Sequence, residues 1–422
     1  MSDFEPQLVA SDGQGNVFEI EGYSALGAAG NRIVDVPQDQ WIPLPEGSDL
    51  MELPGRLPVG RKRETGAIDV IEGEEDETLM AVAAFLAPAY TVLYHAAWER
   101  EDESPYLSLF AYSAVGWHEG RFYVPALRID PDIRQDPGQF SDERLREAAR
   151  QFAQRYPDNR LARHLIQNCA LTYGCPAARN YLLNRWEMPL PTSRVCNASC
   201  IGCISLQEDS GVCATQNRIA FVPTVEEIVE IAVDHFETAP LPVASFGQGC
   251  EGEPLLNGKL LAEAIRGIRR KTNRGTINLN TNASLPDTVS ALRQAGLDSM
   301  RVSLNSAREE YYQRYFRPAK YSFSDVLQSI RMMKDAGGFV SLNYFVFSGF
   351  SDQPEEIEQL EKLIEGYGID LIQWRNLNID PELYWQALTP PDQEGIGIAR
   401  LIAHMQRKYP TLRHGYFNPC LQ

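Results

Sequence analysis

Thiols are scarce in this chain: eight cysteines in 422 residues are too few for a disulfide scaffold. Positive charge is also short. Lys and Arg number 39 against 57 Asp and Glu, a net charge of −18, and the summed field of such a chain repels a phosphate backbone. General polyanion binding is therefore disfavoured, although a local basic groove stays open. No basic, apolar leader is expected, because Met1-Ser2-Asp3-Phe4-Glu5 is acidic and polar. A reducing, cytoplasmic setting follows, and clustered thiols there point to metal or redox chemistry. Long apolar runs are nearly absent. Residues 79–98 carry no formal charge over 20 positions, the length of a bilayer span, but Pro88 interrupts them and both flanks are acidic. This run reads as a buried helix to about Ala87 and a buried strand over 90–94, with no membrane involved.

What is present is an ordinary globular composition, 44% hydrophobic and 23% charged, long enough for roughly two to three domains. Residues 1–188 read as a small α+β domain that announces no chemistry. Asp12-Gly13-Gln14-Gly15 is a turn before the alternating residues 17–20, and 41–66 is Pro- and Gly-rich loop. A hairpin is expected from 106–115 through His118-Glu119-Gly120 to 122–129, and Ser141 caps a helix ending before Pro157. Over residues 189–410 the pattern becomes strand, loop, helix, repeated, ahead of a tail at 411–422. Strands are predicted at 193–195, 243–246, 276–280, 299–304, 340–345 and 369–373. Helices are predicted near 256–271, 287–295, 324–336, 353–366 and 396–408, and Thr224 with Glu227 forms a capping box for one more. Six strands each followed by a helix imply a parallel sheet with right-handed crossovers. The α/β fold is then a partial (βα)6 TIM-like barrel or an open doubly wound sheet, with function at the carboxyl ends of the strands.

Directly after the first predicted strand stands Cys196-Asn197-Ala198-Ser199-Cys200-Ile201-Gly202-Cys203. Randomly placed cysteines would produce the spacing C-x3-C-x2-C roughly 0.003 times in such a chain. Three thiolates on one short loop suit three corners of an iron–sulfur cluster and leave one iron open to an external ligand. The alternative is a structural zinc site with a fourth ligand from elsewhere. None of the six histidines lies near the loop in sequence, and no paired C-x2-C unit accompanies it.

The triad resembles the hallmark of the radical S-adenosylmethionine (SAM) superfamily over residues 190–410 or so. The resemblance implies a [4Fe-4S] cluster on Cys196, Cys200 and Cys203, chelated at its open iron by SAM. It also implies reductive cleavage of SAM to a 5′-deoxyadenosyl radical that abstracts hydrogen, with a flavodoxin or ferredoxin as reducing partner. One position departs from the pattern: Gly202 stands where relatives carry an aromatic, leaving the adenine wall to another residue, with Ile201 the candidate. Gly249-Cys250-Glu251-Gly252-Glu253-Pro254 is similar to the family's Gly-Gly-Glu-Pro element, so Gly249, Glu251, Gly252 and Glu253 become SAM contacts, Glu253 foremost. Asn282 after the third strand, and Ser303 and Asn305 at the end of the fourth, join them. Taken alone, each of these is also ordinary turn or cap chemistry.

Five cysteines remain. Cys250, beside the Gly-Glu-Pro turn, is a candidate hydrogen donor or iron ligand, with buried packing as its default. Cys169, Cys175 and Cys213 flank the triad and are candidates for an auxiliary cluster, whereas Cys420 alone follows the barrel. Arg375 on the sixth strand is placed for a substrate anion or a rim salt bridge, and the run Arg266, Arg269, Arg270, Lys271, Arg274 reads as a solvated helix face. The substrate is not legible. A peptide, protein or small molecule is favoured over RNA, and the competing reading is a non-catalytic iron–sulfur or zinc protein.

Overall fold

A computed structural model describes residues 4–73, 79–206 and 211–422. Up to Arg128 the described chain is antiparallel β structure, an eleven-stranded and a three-stranded sheet. The helices that follow are Asp142–Arg155, Arg160–His164 and Pro176–Leu182. Their Leu145, Leu161 and Tyr181 belong to the same hydrophobic core as Met188 and Ile228 of the next domain. Residues 1–188, expected as one α+β domain, thus comprise β sheets followed by helices whose core is continuous with that of the barrel.

Two local expectations change. Met80–Phe85 is a strand, not a helix, paired antiparallel with Asp49–Leu53. A short apolar run buried on both faces lacks the period that distinguishes the two, and its alanines and valine fit a buried strand. Among the described residues no helix is long and apolar enough to cross a membrane. The hairpin forms between Gly116–His118 and Arg121–Arg128, with positive φ at Glu119 and Gly120 as a two-residue turn demands. Its expected first arm, 106–115, instead threads between two other segments, where Ser113 bridges to Ala84 and His95 and the Tyr112 carbonyl accepts from Ala96.

The second domain is a sheet of seven parallel strands in chain order: β1 Glu187–Leu190, β2 Val243–Phe246, β3 Thr276–Thr281, β4 Ser299–Leu304, β5 Phe339–Val346, β6 Leu371–Asn376 and β7 Arg413–Gly415. Sequential order without a switch point is barrel topology, which sets aside the doubly wound alternative. The first strand lies earlier than expected. Residues 193–195 are an extension of the chain beyond β1, and the Ser193 and Val195 carbonyls accept from Gly252 and Glu253. The tail at 411–422 supplies a seventh strand, three residues too short to carry a readable pattern. Helices α1 Val225–Thr238, α2 Gly258–Arg269, α3 Pro286–Ala295, α4 Glu309–Phe316, α5 Phe323–Asp335, α6 Pro354–Tyr367, α7 Pro381–Leu388 and α8 Ile398–Lys408 follow the strands. The Thr224–Glu227 capping box opens α1 as the sequence indicates.

Side chains alternate across a strand, and here the alternation separates apolar from polar. Phe246, Ile277, Leu279, Val302, Leu304, Leu342 and Ile372 are fully buried against the helices. The other parity is mostly polar, with Ser245, Asn278, Asn280, Arg301, Ser303, Asn343, Gln373 and Arg375 beside the apolar Val243, Phe345 and Leu371. The Arg301 guanidinium reaches across β5 to Gln373 Oε1 at 3.1 Å, which places this set on the concave face. A barrel packed shut carries branched aliphatics there; this one is lined with polar groups. Its floor is closed by the tail: Asn418 donates to Glu187 Oε1 (2.8 Å) and accepts from Gln373 Nε2 (2.9 Å).

The β domain docks on the opposite end, at the carboxyl termini of β5 and β6. Asn376, the last residue of β6, pairs both ways with strand Tyr90–Val92: its Oδ1 accepts from Val92 N–H (2.8 Å) and its Nδ2 donates to the Tyr90 carbonyl (2.9 Å). After β5, the Ser348 carbonyl accepts from Gly30 at 2.6 Å. Arg56 and Asp380 form an ion pair at 2.9 Å with both side chains fully buried. Arg56 also donates to the Pro105 carbonyl, and Asp380 accepts from Leu107 N–H and caps α7 through Glu382 and Leu383. Breaking such a pair strands a buried charge, which costs about 3–5 kcal/mol. Arg56→Ala should lower unfolding free energy by that amount in urea titrations, and Arg56→Ala/Asp380→Ala should lose less than the two single losses combined.

Candidate functional site

The cysteine loop leaves β1 and is zipped to the end of α4 and the residues just after it. Ser199 and Ile201 donate to the Phe316 and Tyr315 carbonyls (3.0 and 3.1 Å), and Ala319 donates to Asn197 (2.8 Å). This brings Cys196, Cys200 and Cys203 together at the carboxyl end of the barrel. Burial pushes the Cys196 thiol up to about 11, with the Glu253 carboxylate adding to it. Burial raises Cys200 further, and Cys203 and Cys196 add to that, so the three sulfurs share one field. Arg218, which the sequence reading missed, donates to Cys203 Sγ at 3.7 Å and to Ser205 Oγ at 3.2 Å. Three clustered thiols with a guanidinium beside them are a donor set suited to a cluster of net negative charge.

Two carboxylates organise the turn after β2, and their roles differ. Glu251 accepts from four backbone N–H groups, those of Thr192, Ser193, Gly247 and Gln248, at 2.7–2.8 Å. Burial pushes it up to about 7 against those four donors. A carboxylate offers about four lone-pair sites, so Glu251 is filled by its own loop. Glu253 accepts from Leu255 N–H, Thr281 Oγ1 and Asn282 N–H (3.0, 2.5 and 2.8 Å), which leaves one acceptor position unused. Gly252 must lack a side chain, because a Cβ would fall onto the Val195 carbonyl. Gly249 lies against Ile204 and Gln216.

The remaining expected contacts separate similarly. Asn282 donates to Asn197 Oδ1 (2.9 Å), which in turn donates to Ser284, so strand β3 is tied to the cysteine loop. Ser303 faces the lumen, half-buried. Asn305 is fully buried and donates to the Tyr311 carbonyl and Tyr384 hydroxyl, among the helices. Cys250 is 5% exposed and its sulfur lies 3.9 Å from that of Cys169. Cys213 is exposed. In the lumen, Arg375 packs on Tyr416 with its guanidinium 3.8 Å from the ring centroid, and donates to the Tyr416 carbonyl. Burial, with Arg375 nearby, holds Arg301 down to about 10, and its Nε has no hydrogen-bond partner among the described residues. A lone charge in a buried strand, at the parity of Ser299 and Ser303, was the signal for Arg301. On the outside, the basic run is partly engaged: Arg269 pairs with Asp298 and Arg274 donates to the Glu237 carbonyl.

Residues 190–364, from the end of β1 into α6, match the family model of the Radical SAM superfamily. The barrel belongs to that superfamily. Among curated proteins, a GTP 3′,8-cyclase of Aquifex aeolicus is 28% identical over 196 residues, covering 45% of this chain and 58% of that protein. A probable dual-specificity RNA methyltransferase RlmN of Thermosipho melanesiensis is 27% identical over 179 residues, covering 40% and 52%. The chain thus spans about half the length of these curated relatives. Among solved structures, HydG, a maturase of the [FeFe]-hydrogenase, aligns at a TM-score of 0.38 and 16% identity over 65% of this chain and 66% of that one.

Within this radical SAM barrel, the missing aromatic at Gly202 has a visible counterpart. The Tyr315 hydroxyl sits 2.6 Å from where a Cβ on residue 202 would be, and its ring carbon at 3.5 Å. Ile201 is buried beside it at 5% exposure. Tyr315 therefore fills the space that a larger residue 202 would claim. Gly202→Ala should lower both thermal stability and iron retention, and Tyr315→Phe, which removes the clashing oxygen, should restore most of the loss. Equal losses in both backgrounds, read by calorimetry and iron assay, would refute the coupling.

Proposed function

We propose that this chain is a radical SAM enzyme that abstracts hydrogen from an anionic substrate held in the barrel lumen. The convergence of the Cys196, Cys200 and Cys203 thiols at the barrel mouth, beside Glu253, carries the reading. Those thiols would hold three irons of a [4Fe-4S] cluster. When bound, the cluster and SAM together supply the electron transfer and the carbon-centred oxidant that the protein's own side chains lack. SAM contacts are assigned to Glu253, through its unused acceptor position, to Ser303 and to the main chain at Gly249 and Gly252. Glu251, Asn282 and Asn305 act as positioning residues, because their hydrogen bonds are spent on the loops that carry the others. A low-potential donor such as flavodoxin or ferredoxin is the implied partner, in a reducing compartment such as the cytoplasm. Cluster-loaded protein given dithionite and SAM without oxygen should release 5′-deoxyadenosine; a fully loaded preparation that releases none would refute the reading.

The substrate's charge is inferred from two arginines facing the same chamber: Arg301 donates to the neutral Gln373 with Glu187 offsetting its charge only in part, and Arg375 packs on Tyr416. The curated relatives' names divide between a GTP cyclase and RNA methyltransferases, so no single substrate carries over from them. The β domain, seated on the rim at Asn376 and Asp380, is placed to present or enclose a substrate. The chain's charge of −18 weighs against an RNA duplex as that substrate. In thermal-shift measurements with organic phosphates and carboxylates, ligands that stabilise the wild-type protein should lose their effect on Arg301→Met. Equal shifts in both proteins would place anion binding elsewhere.

A further inference from the structure

Behind the Gly-Cys-Glu turn lies a second cluster of metal-ligating groups. A ring nitrogen of His164 and the sulfurs of Cys169 and Cys250 lie within 4.8 Å of one another. Cys169 and Cys250 are buried, at 3% and 5% exposure, and both are free thiols. His164 Nε2 is buried without a hydrogen-bond partner among the described residues.

The backbone has an unusual means of making this cluster. Residues Leu165–Thr172 form a π-helix, continuing the helix that ends at His164. In an α-helix, residues five apart point well away from each other. The wider π turn, closed by i to i+5 hydrogen bonds such as Tyr173 N–H to the Asn168 carbonyl at 3.0 Å, turns them towards a common side. His164 and Cys169 are five apart. The strand-end turn supplies the third group, and it is anchored there: the Cys250 carbonyl accepts from Ile219 N–H at 2.7 Å.

We infer that His164, Cys169 and Cys250 form a binding site for a single soft divalent cation of the zinc type. The sulfur separation of 3.9 Å matches the edge of a tetrahedron around one ion, about 3.8 Å for zinc–sulfur bonds near 2.3 Å. Two sulfurs on one ion is a different arrangement from an auxiliary cluster built on Cys169, Cys175 and Cys213. Binding would convert two thiols to thiolates and release two protons, with no change of oxidation state. The site would clamp the turn carrying Glu251 and Glu253 to the π-helix Leu165–Thr172 and the helical turn before it, so its role is positioning. It stands independently of the radical SAM reading, because none of the triad cysteines belongs to it.

The test uses the full chain with Cys196→Ala/Cys200→Ala/Cys203→Ala, so that cluster iron does not contribute. Loaded anaerobically with zinc and desalted, this protein should keep about one zinc per chain, and adding Cys250→Ser should abolish that retention. Loaded with cobalt(II), it should show thiolate-to-cobalt charge transfer and strong tetrahedral d–d bands, altered by His164→Ala. Should the serine variant fail to fold, the cobalt spectrum of its parent decides. No retained zinc, a weak octahedral cobalt spectrum, or two fewer titratable thiols in the denatured, unreduced protein, marking a Cys169–Cys250 disulfide, would each overturn the proposal.

Discussion

Backbone amides at the strand ends of this barrel have no ladder partners, and one buried carboxylate collects four of them. Glu251 draws in Thr192 and Ser193 from the cysteine loop's approach and Gly247 and Gln248 from the end of β2. An unpaired buried amide costs about as much as a lost hydrogen bond, so gathering four makes the turn's shape a condition of folding. Other contacts of the site depend on that shape. Gly252 can approach Val195 because the turn is held there, Glu253 is presented to β3, and Asn282 reaches Asn197 in the cysteine loop. The three thiols converge because the loops beneath them are tied together by main-chain atoms.

The sequence displays this arrangement unevenly. β2 and β4 and the capped start of α1 coincide with their predicted limits, since period-two apolar runs and a capping box are local signals. The cysteine spacing is equally local. What could not be read are features defined by a partner distant in the chain. Residues 193–195 look like a strand and become an extended connection, because the Gly252–Glu253 turn, nearly 60 residues on, takes their carbonyls. Met80–Phe85 looks like part of a helix until two flanking strands claim it. Gly202 looks like a gap in a pattern, and only Tyr315 explains it. Glu251 and Glu253 are two residues apart and chemically identical, yet one is saturated by its own loop and the other is not.

Charge placement follows a similar logic. The chain is strongly acidic overall, but its barrel lumen holds Arg301 and Arg375, and its domain junction holds Arg56 against Asp380. At the junction the guanidinium has a carboxylate and carbonyls around it, so the charge is consumed in holding two domains in register. In the lumen it is balanced less fully: burial and the neighbouring Arg375 hold Arg301 below its ordinary range, and Glu187 offsets them only in part. Net acidity thus describes the exterior and says little about what the interior is built to receive.

Asn418 has a consequence beyond its hydrogen bonds. By bridging Glu187 and Gln373 it stoppers the barrel from below, while the β domain stands over part of the rim above. A residue beyond the last strand thus joins the first strand to the sixth, so the two sides of a sheet that does not close by strand pairing are held together by one side chain.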